Sequence, residues 1–272
     1  MNKPFLKWLG GKTRIVGEIK KILPQGNRLV EPFLGSGAIF LNVEYNEYLL
    51  ADSNEDLINL YITLQKRGRQ FVELCKVFFT SNNNCKERYM ELRDEFNKSK
   101  DPTFFVYLNR HCFNGLCRYN SKGEFNTPFG EYANPVRFPH KEMLFFVERC
   151  RKKKVEFKHN DFRDTLKNVQ PGDILYCDPP YAPISETSNF SSYDSGGFSI
   201  KDQNDLVQLA SNLSVPVLIS NNDTEYMEKL CSRASYIKRI QAGRFIGGDR
   251  RPVMEILALF NFNYKPKTLW SE

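Results

Sequence analysis

Four consecutive residues, Asp178-Pro179-Pro180-Tyr181, put a carboxylate, two rigid rings and an aromatic face into one short turn. That set suits a planar amine held against a methyl donor. The lone pair of an exocyclic amine such as adenine N6 is delocalised into its ring, so the nitrogen is a poor nucleophile. Acceptors on its two hydrogens, here the Asp178 carboxylate and the Pro179 carbonyl, return electron density to it. Tyr181 offers a flat face for the base to stack on. The prolines stiffen the turn and carry no N–H that would compete for the acceptors. The chemistry is methyl transfer to an amine. A plain proline-rich turn with a solvated aspartate needs the same residues, so the surroundings decide.

Behind the turn stands Asp173-Ile174-Leu175-Tyr176-Cys177, an apolar run preceded by Pro171-Gly172, which predicts a buried strand ending at the motif. Ligands of open α/β sheets sit outside the carboxyl ends of strands. A second such place is Phe33-Leu34-Gly35-Ser36-Gly37, which follows a predicted strand and opens a predicted helix. Glycines there let the backbone approach a ligand. Phe40 occupies the third glycine of a dinucleotide fingerprint, so that pattern is absent. Asp52 closes the next predicted strand, where a carboxylate accepts from ribose hydroxyls or caps a helix starting near Glu55. Glycine turn and carboxylate together suit a nucleoside without a pyrophosphate, as in S-adenosylmethionine. Trp8-Leu9-Gly10-Gly11-Lys12-Thr13 is half of a phosphate loop, but Leu6 takes the place of its first glycine, which disfavours an ATPase. Trp8 then covers an apolar part of the cofactor, while Lys12 meets its carboxylate or orders the glycine turn.

The elements that must hold these residues alternate in α/β style. Helical spacing runs over 14–23 and 38–43, with strands at 28–31 and 48–51. A charge-rich helical stretch covers 57–98 and continues over 104–108. Residues 117–132 are turn-rich, and Asn120-Ser121-Lys122-Gly123 predicts the loop of a β-hairpin. Strands follow at 155–157, 174–177 and 215–220, a helix at 202–213, and final strands at 236–240 and 255–262. Residues 183–197 are expected to form a loop over the base or DNA. The simplest account is a sheet domain, 1–54 with 139–272, interrupted by a helical and hairpin insertion at 55–138.

A chain of 272 residues with 41% hydrophobic and 14% aromatic content holds a packed core, which excludes dominant disorder. The net charge of +7 suits a polyanionic partner. Arg151-Lys152-Lys153-Lys154, the one tight basic cluster, reads equally as a solvated helix end. Seven scattered cysteines and three histidines at unhelpful spacings predict neither disulfides nor a structural metal. No secretory or membrane-spanning segment stands out, so a cytoplasmic protein is expected.

The motifs occur in the order found in one family. Phe5-Leu6-Lys7-Trp8-Leu9-Gly10-Gly11-Lys12, Glu31-Pro32-Phe33-Leu34-Gly35-Ser36-Gly37 and Asp178-Pro179-Pro180-Tyr181 resemble the α group of DNA amino-methyltransferases. Asn114-Gly115-Leu116-Cys117-Arg118-Tyr119-Asn120 and Gly123-Glu124-Phe125-Asn126-Thr127-Pro128-Phe129-Gly130 resemble the recognition hairpin of Dam-type adenine methylases. The resemblance spans about residues 5–260 and is less close over 243–251. It implies a Rossmann-like S-adenosylmethionine-dependent α/β sheet with an inserted DNA-recognition domain. It also implies adenine-N6 methylation of double-stranded GATC by base flipping, in a protein of bacterial or phage origin, and a single chain with one recognition hairpin suits a monomer. By the same resemblance Trp8, Lys12, Phe33, Gly35, Asp52 and Asp178 line the cofactor pocket. Lys7 reads the first guanine, Leu116, Arg118 and Pro128 read the other bases, Asn114 belongs to the DNA-recognition set, and Phe113 wedges into the stack. Competing substrates are cytosine N4, an RNA base or a glutamine side chain. A catalytically inactive DNA-binding regulator is the alternative from another class.

Overall fold

A computed structural model describes residues 1–181, 198–242 and 253–264. The chain begins with α1 (Val16–Ile22), β1 (Arg28–Glu31) and β2 (Glu47–Asp52). A helical stretch follows, α2 (Glu55–Arg67), α3 (Arg69–Lys76), α4 (Lys86–Ser99), α5 (Pro102–His111) and α6 (His140–Lys152). Alternation then resumes with β3 (Lys154–His159), α7 (Phe162–Lys167), β4 (Asp173–Cys177) and α8 (Ile200–Asn212). The last elements are β5 (Val217–Asn222), α9 (Glu225–Leu230), β6 (Tyr236–Ala242) and β7 (Val253–Phe260). Every strand expected outside the hairpin is present, with β5 two residues further along and β7 two residues earlier than expected. The expectations for 183–197 and 243–251 fall outside the described residues.

Two compact units result: Met1–Thr13 with Leu34–Asn160, and Arg14–Phe33 with the described residues from Asp161 onward. In the second unit the strand order is β1-β4-β5-β7-β6. β1, β4 and β5 are parallel, and β7 runs antiparallel to both β5 and β6. All residues of β4 and β5 are buried, as interior strands covered on both faces require. Adjacent β1 and β4 carry Phe33 and Asp178 just beyond their carboxyl ends, where α/β sheets bind ligands. Helix α8 opens with a capping box between Ser199 and Asp202. Arg163 at the start of α7 ties that first turn down through Asp202 and Asp205.

The first unit holds the parallel pair β2 and β3 and helices α2 to α6. Its core is aromatic: Tyr61 stacks on Phe146 at 4.9 Å and on Phe157 at 5.5 Å, with Phe5 edge-on to Tyr61 at 5.9 Å. The helix expected over 38–43 is instead a run of turns, with Leu41 N–H donating to Gly37 and Val43 N–H to Ile39. Two positive-φ glycines, Gly35 (49°) and Gly37 (72°), delay the helical geometry, and the chain turns away before a second helical turn forms.

The expected hairpin is present as backbone reversal but not as paired strands. Two isolated bridges, Tyr119–Phe125 and Cys112–Phe129, are all the pairing it has. It is anchored from α4 and α5 instead. Phe125 is buried edge-on against Phe96 and Phe105, and the Asn97 side chain clamps its main chain at both N–H (2.7 Å) and carbonyl (3.1 Å). Among the described residues no helix is long and apolar enough to cross a membrane.

Candidate functional site

In the second unit, Asp178 is half-buried at the end of β4, and its Oδ1 accepts from the Ser220 hydroxyl at 3.1 Å. The Tyr176 hydroxyl lies 2.9 Å from Ser220 Oγ. Burial, with the Asp178 carboxylate adding to it, pushes the Tyr176 phenol well up, so it stays protonated and donates to Ser220. Tyr176, Ser220 and Asp178 thus form a directed chain that fixes the carboxylate's orientation, each bond polarising the next. The Pro180 carbonyl accepts from Gln203 Nε2 at 2.6 Å. Phe33 is half-buried, with one face stacked on Phe162 at 5.5 Å and Phe198 edge-on at 5.5 Å.

In the first unit the glycine turn is braced from three directions. The Gly35 N–H donates to Asp52 Oδ2 at 2.9 Å, its carbonyl accepts from the Tyr61 hydroxyl at 2.8 Å, and Leu34 N–H bonds to the Ala51 carbonyl at 2.8 Å. Burial pushes the Asp52 carboxyl above its ordinary value, opposed by the N–H groups of Gly35 and Asn54. Asp52 does not cap α2: Asn54 does, its side chain accepting from Leu57 N–H at 3.0 Å. Lys12 is buried and its Nζ donates to the Gly10 carbonyl at 3.1 Å, so it orders the loop of Gly10 and Gly11. Trp8 packs directly over Gly35, where an added Cβ would stand 2.8 Å from the indole Nε1. Gly35→Ala is therefore expected to lower stability by about 1–3 kcal/mol, from the clash and the positive φ together. Urea unfolding of the ligand-free protein checks this.

The residues assigned to base reading also meet in the first unit. Thr127 Oγ1 accepts from Arg118 N–H at 3.2 Å and donates to the Leu116 carbonyl at 2.8 Å, while Phe113 N–H bonds to the Pro128 carbonyl at 2.9 Å. Phe113, Asn114, Arg118 and Pro128 are exposed and Leu116 is half-buried. Asn114 takes a left-handed conformation (φ 52°), which asparagine tolerates. Arg118 is braced by one neighbour: Nε donates to Asn126 Oδ1 at 2.8 Å and Nη2 to the Asn126 carbonyl at 3.2 Å.

Lys7 is gripped tightly beside them. Asn109 is buried and bonds both the Lys7 N–H (2.9 Å) and carbonyl (2.7 Å). Lys7 Nζ donates to the Arg110 carbonyl at 2.9 Å and the Tyr132 hydroxyl at 2.8 Å. Burial, with the Arg110 charge adding to it, lowers its pKa.

Sequence reasoning missed Gln203, Ser220, Asn109, Asn97 and Asn126, all of which hold a candidate residue or the hairpin in place. One signal was available. Ser220-Asn221-Asn222 makes the end of an otherwise apolar strand polar, although all three residues are buried. The basic cluster proves to be largely paired, through Arg151–Glu148 (3.4 Å), Lys153–Glu44 (3.1 Å) and Lys154–Glu47 (2.9 Å). Among the described residues no group of three His, Cys, Asp or Glu side chains converges as a metal site.

Residues 8–243 match the family described as D12 class N6 adenine-specific DNA methyltransferase. Over 95% of this chain and 98% of its own length, a DNA adenine methylase of Serratia marcescens is 46% identical. A DNA adenine methylase of Escherichia coli K12 is 42% identical over 97% of this chain and 96% of its own. One from Vibrio cholerae is 43% identical over 95% and 96%.

Proposed function

The chain belongs to the family of D12 class N6 adenine-specific DNA methyltransferases, and from that premise we propose that it methylates adenine N6 within duplex GATC, with S-adenosylmethionine as donor. The observation that carries the reading is the Asp178 carboxylate, fixed by Ser220 at the carboxyl end of β4 inside the tetrapeptide. Its oxygens and the Pro179 carbonyl take the two N6 hydrogens and direct the nitrogen lone pair outward. Tyr181 stacks on the target base, which must leave the helix to be reached. Extrusion costs a few kcal/mol, offset by that stacking and by hydrogen bonds to the flipped base.

The donor set present fits the cofactor by its chemistry. In the first unit Trp8 is assigned an aromatic contact with the nucleoside and Asp52 the ribose hydroxyls, with Gly35 and Lys12 shaping the glycine loops around them; in the second unit Phe33 is assigned an aromatic contact and Asp178 a polar one. Bound S-adenosylmethionine supplies an electrophilic methyl on its sulfonium. The protein's own part is to hold and orient the amine, which accounts for much of the acceleration in such reactions.

For recognition, Lys7 is assigned to the first guanine, Leu116 and Pro128 to the thymine methyl, and Arg118 to the remaining guanine. Phe113 wedges into the stack, and Asn114 shapes the turn between them. We assign DNA recognition to 55–138 together with Lys7, and catalysis to 1–54 and 139–272. The relatives named above are bacterial proteins, and the role we assign is that of a monomer, encoded by a bacterium or a phage, acting on DNA in the bacterial cytoplasm.

Labelled methyl transfer to two duplexes, identical except that one carries GATC and the other a scrambled site, tests the proposal. The expected result is N6-methyladenine in the first alone. Equal labelling of both would keep the chemistry and discard the assigned readout. No labelling of either, with cofactor bound, would overturn the substrate.

A further inference from the structure

Gln203 is one of the most enclosed polar side chains in the second unit, at 1% exposure in the opening turns of α8. A buried primary amide requires partners at both ends. Its Nε2 donates to the Pro180 carbonyl at 2.6 Å, and its Oε1 accepts from Asn221 Nδ2 at 3.1 Å. Asn221 is itself fully buried on β5, the strand beside β4. We propose that Gln203 is a positioning residue for methyl transfer, an amide latch that sets the orientation of the catalytic tetrapeptide. The proposal rests on the amine-methylation reading above and adds a residue to it.

The tetrapeptide needs such a latch because of its own composition. Pro179 and Pro180 have no N–H, so the middle of the turn cannot tie itself to the sheet through main-chain donors. Its carbonyls are the groups available, and holding one requires a donor from elsewhere. The Pro180 carbonyl belongs to the planar peptide unit that leads into Tyr181, so holding that oxygen fixes the plane from which the stacking ring departs. The proline ring also locks φ at Pro180, which leaves only ψ between this plane and the preceding one. The preceding plane carries the Pro179 carbonyl, the second acceptor for the amine. Fixing Pro180 therefore orients both the acceptor before it and the ring after it.

The geometry grips the tetrapeptide from two sides. Consecutive side chains of a strand point to opposite faces of a sheet. Ser220 holds the Asp178 carboxylate, and the next residue, Asn221, backs the latch on Pro180. Helix α8 is in turn pinned at its first turn by the Ser199–Asp202 capping box and by Arg163. The latch thus has a rigid base.

The test uses Gln203→Met, which keeps the length and removes both hydrogen bonds, and Gln203→Leu, which removes both with a shorter apolar side chain. Leu206→Ala, at a buried apolar position of the same helix, is the control for a merely structural effect. Single-turnover transfer to the GATC duplex is measured with the KM for each substrate and the melting temperature. Displacing reacting groups by about an ångström costs up to about 10²-fold in rate. Both Gln203 variants are expected to lose about ten- to hundredfold in the transfer step, with both KM values within about threefold of wild type. Leu206→Ala is expected to melt earlier while its folded fraction keeps the wild-type rate. A folded Gln203→Met enzyme at the wild-type rate would overturn the latch, as would losses that only track melting temperature across all three variants. If Gln203→Met does not fold, Gln203→Leu decides by the same criteria. Wild-type enzyme that labels neither GATC nor scrambled DNA would remove the premise, and that result is distinguishable because it precedes any variant.

Discussion

Asp178→Ala is expected to reduce methyl transfer by about 10³-fold or more while S-adenosylmethionine still binds measurably. The size follows from what the carboxylate does. In the proposed reaction it accepts a hydrogen from the amine, so its removal leaves the nitrogen lone pair delocalised, and no other side chain in the turn replaces it. It is also the end of the Tyr176–Ser220 chain, which keeps its orientation without rearrangement at the moment of reaction. Asp178→Asn keeps the shape, offers one carbonyl oxygen in place of a charge, and is expected to fall between wild type and alanine. Single-turnover assays with labelled cofactor, alongside cofactor titration of the same preparations, make the comparison. Turnover within about tenfold of wild type would remove Asp178 from the chemistry.

The strands were legible because interior strands of such a sheet carry unbroken apolar runs bounded by Gly, Pro and Asp, as β4 does between Gly172 and Asp178. The tetrapeptide and glycine turn were legible because both lie at strand ends, where local sequence determines what is displayed. The residues that hold them were not, since each acts across a long separation. Ser220 reaches 42 residues back to Asp178, and Asn109 reaches 102 back to Lys7. Amide and hydroxyl side chains have no periodicity that marks such a partner. Where local signals failed, a tertiary contact had taken over. The turn at 38–43 carries apolar residues at helical spacing, but these fill the core as turns: Phe40, for one, packs edge-on to Tyr48 at 5.0 Å and to Phe146 at 5.5 Å. The turn-rich stretch at 117–132 suggested a paired hairpin, yet burial of Phe125 and the Asn97 clamp define its position with little strand pairing.

Arg118→Ala is expected to narrow the preference for GATC over a site altered at the fourth base pair by about five- to 150-fold, the energy of one bidentate base contact, about 1–3 kcal/mol. GATC contains two guanines per duplex site. In the proposed readout Lys7 takes the first, which leaves Arg118 the guanine paired with the final cytosine. Its side chain is prepared for that task. Asn126 takes donors from the Nε–Nη2 edge, and this bracing reduces the freedom a long exposed arginine would lose on binding. The remaining N–H groups on the Nη1 side keep the fork that matches guanine O6 and N7. Arg118→Lys separates this role from simple attraction to DNA. A lysine keeps the charge but has no planar fork, so it should retain the salt-dependent affinity while losing discrimination. The measurement is kcat/KM on GATC and GATT duplexes at two salt concentrations. A phosphate contact would behave differently: both variants would keep the wild-type ratio between the two sites, while alanine lowered affinity for each equally and reduced the salt slope by about one. That pattern would move readout of the fourth base pair away from Arg118.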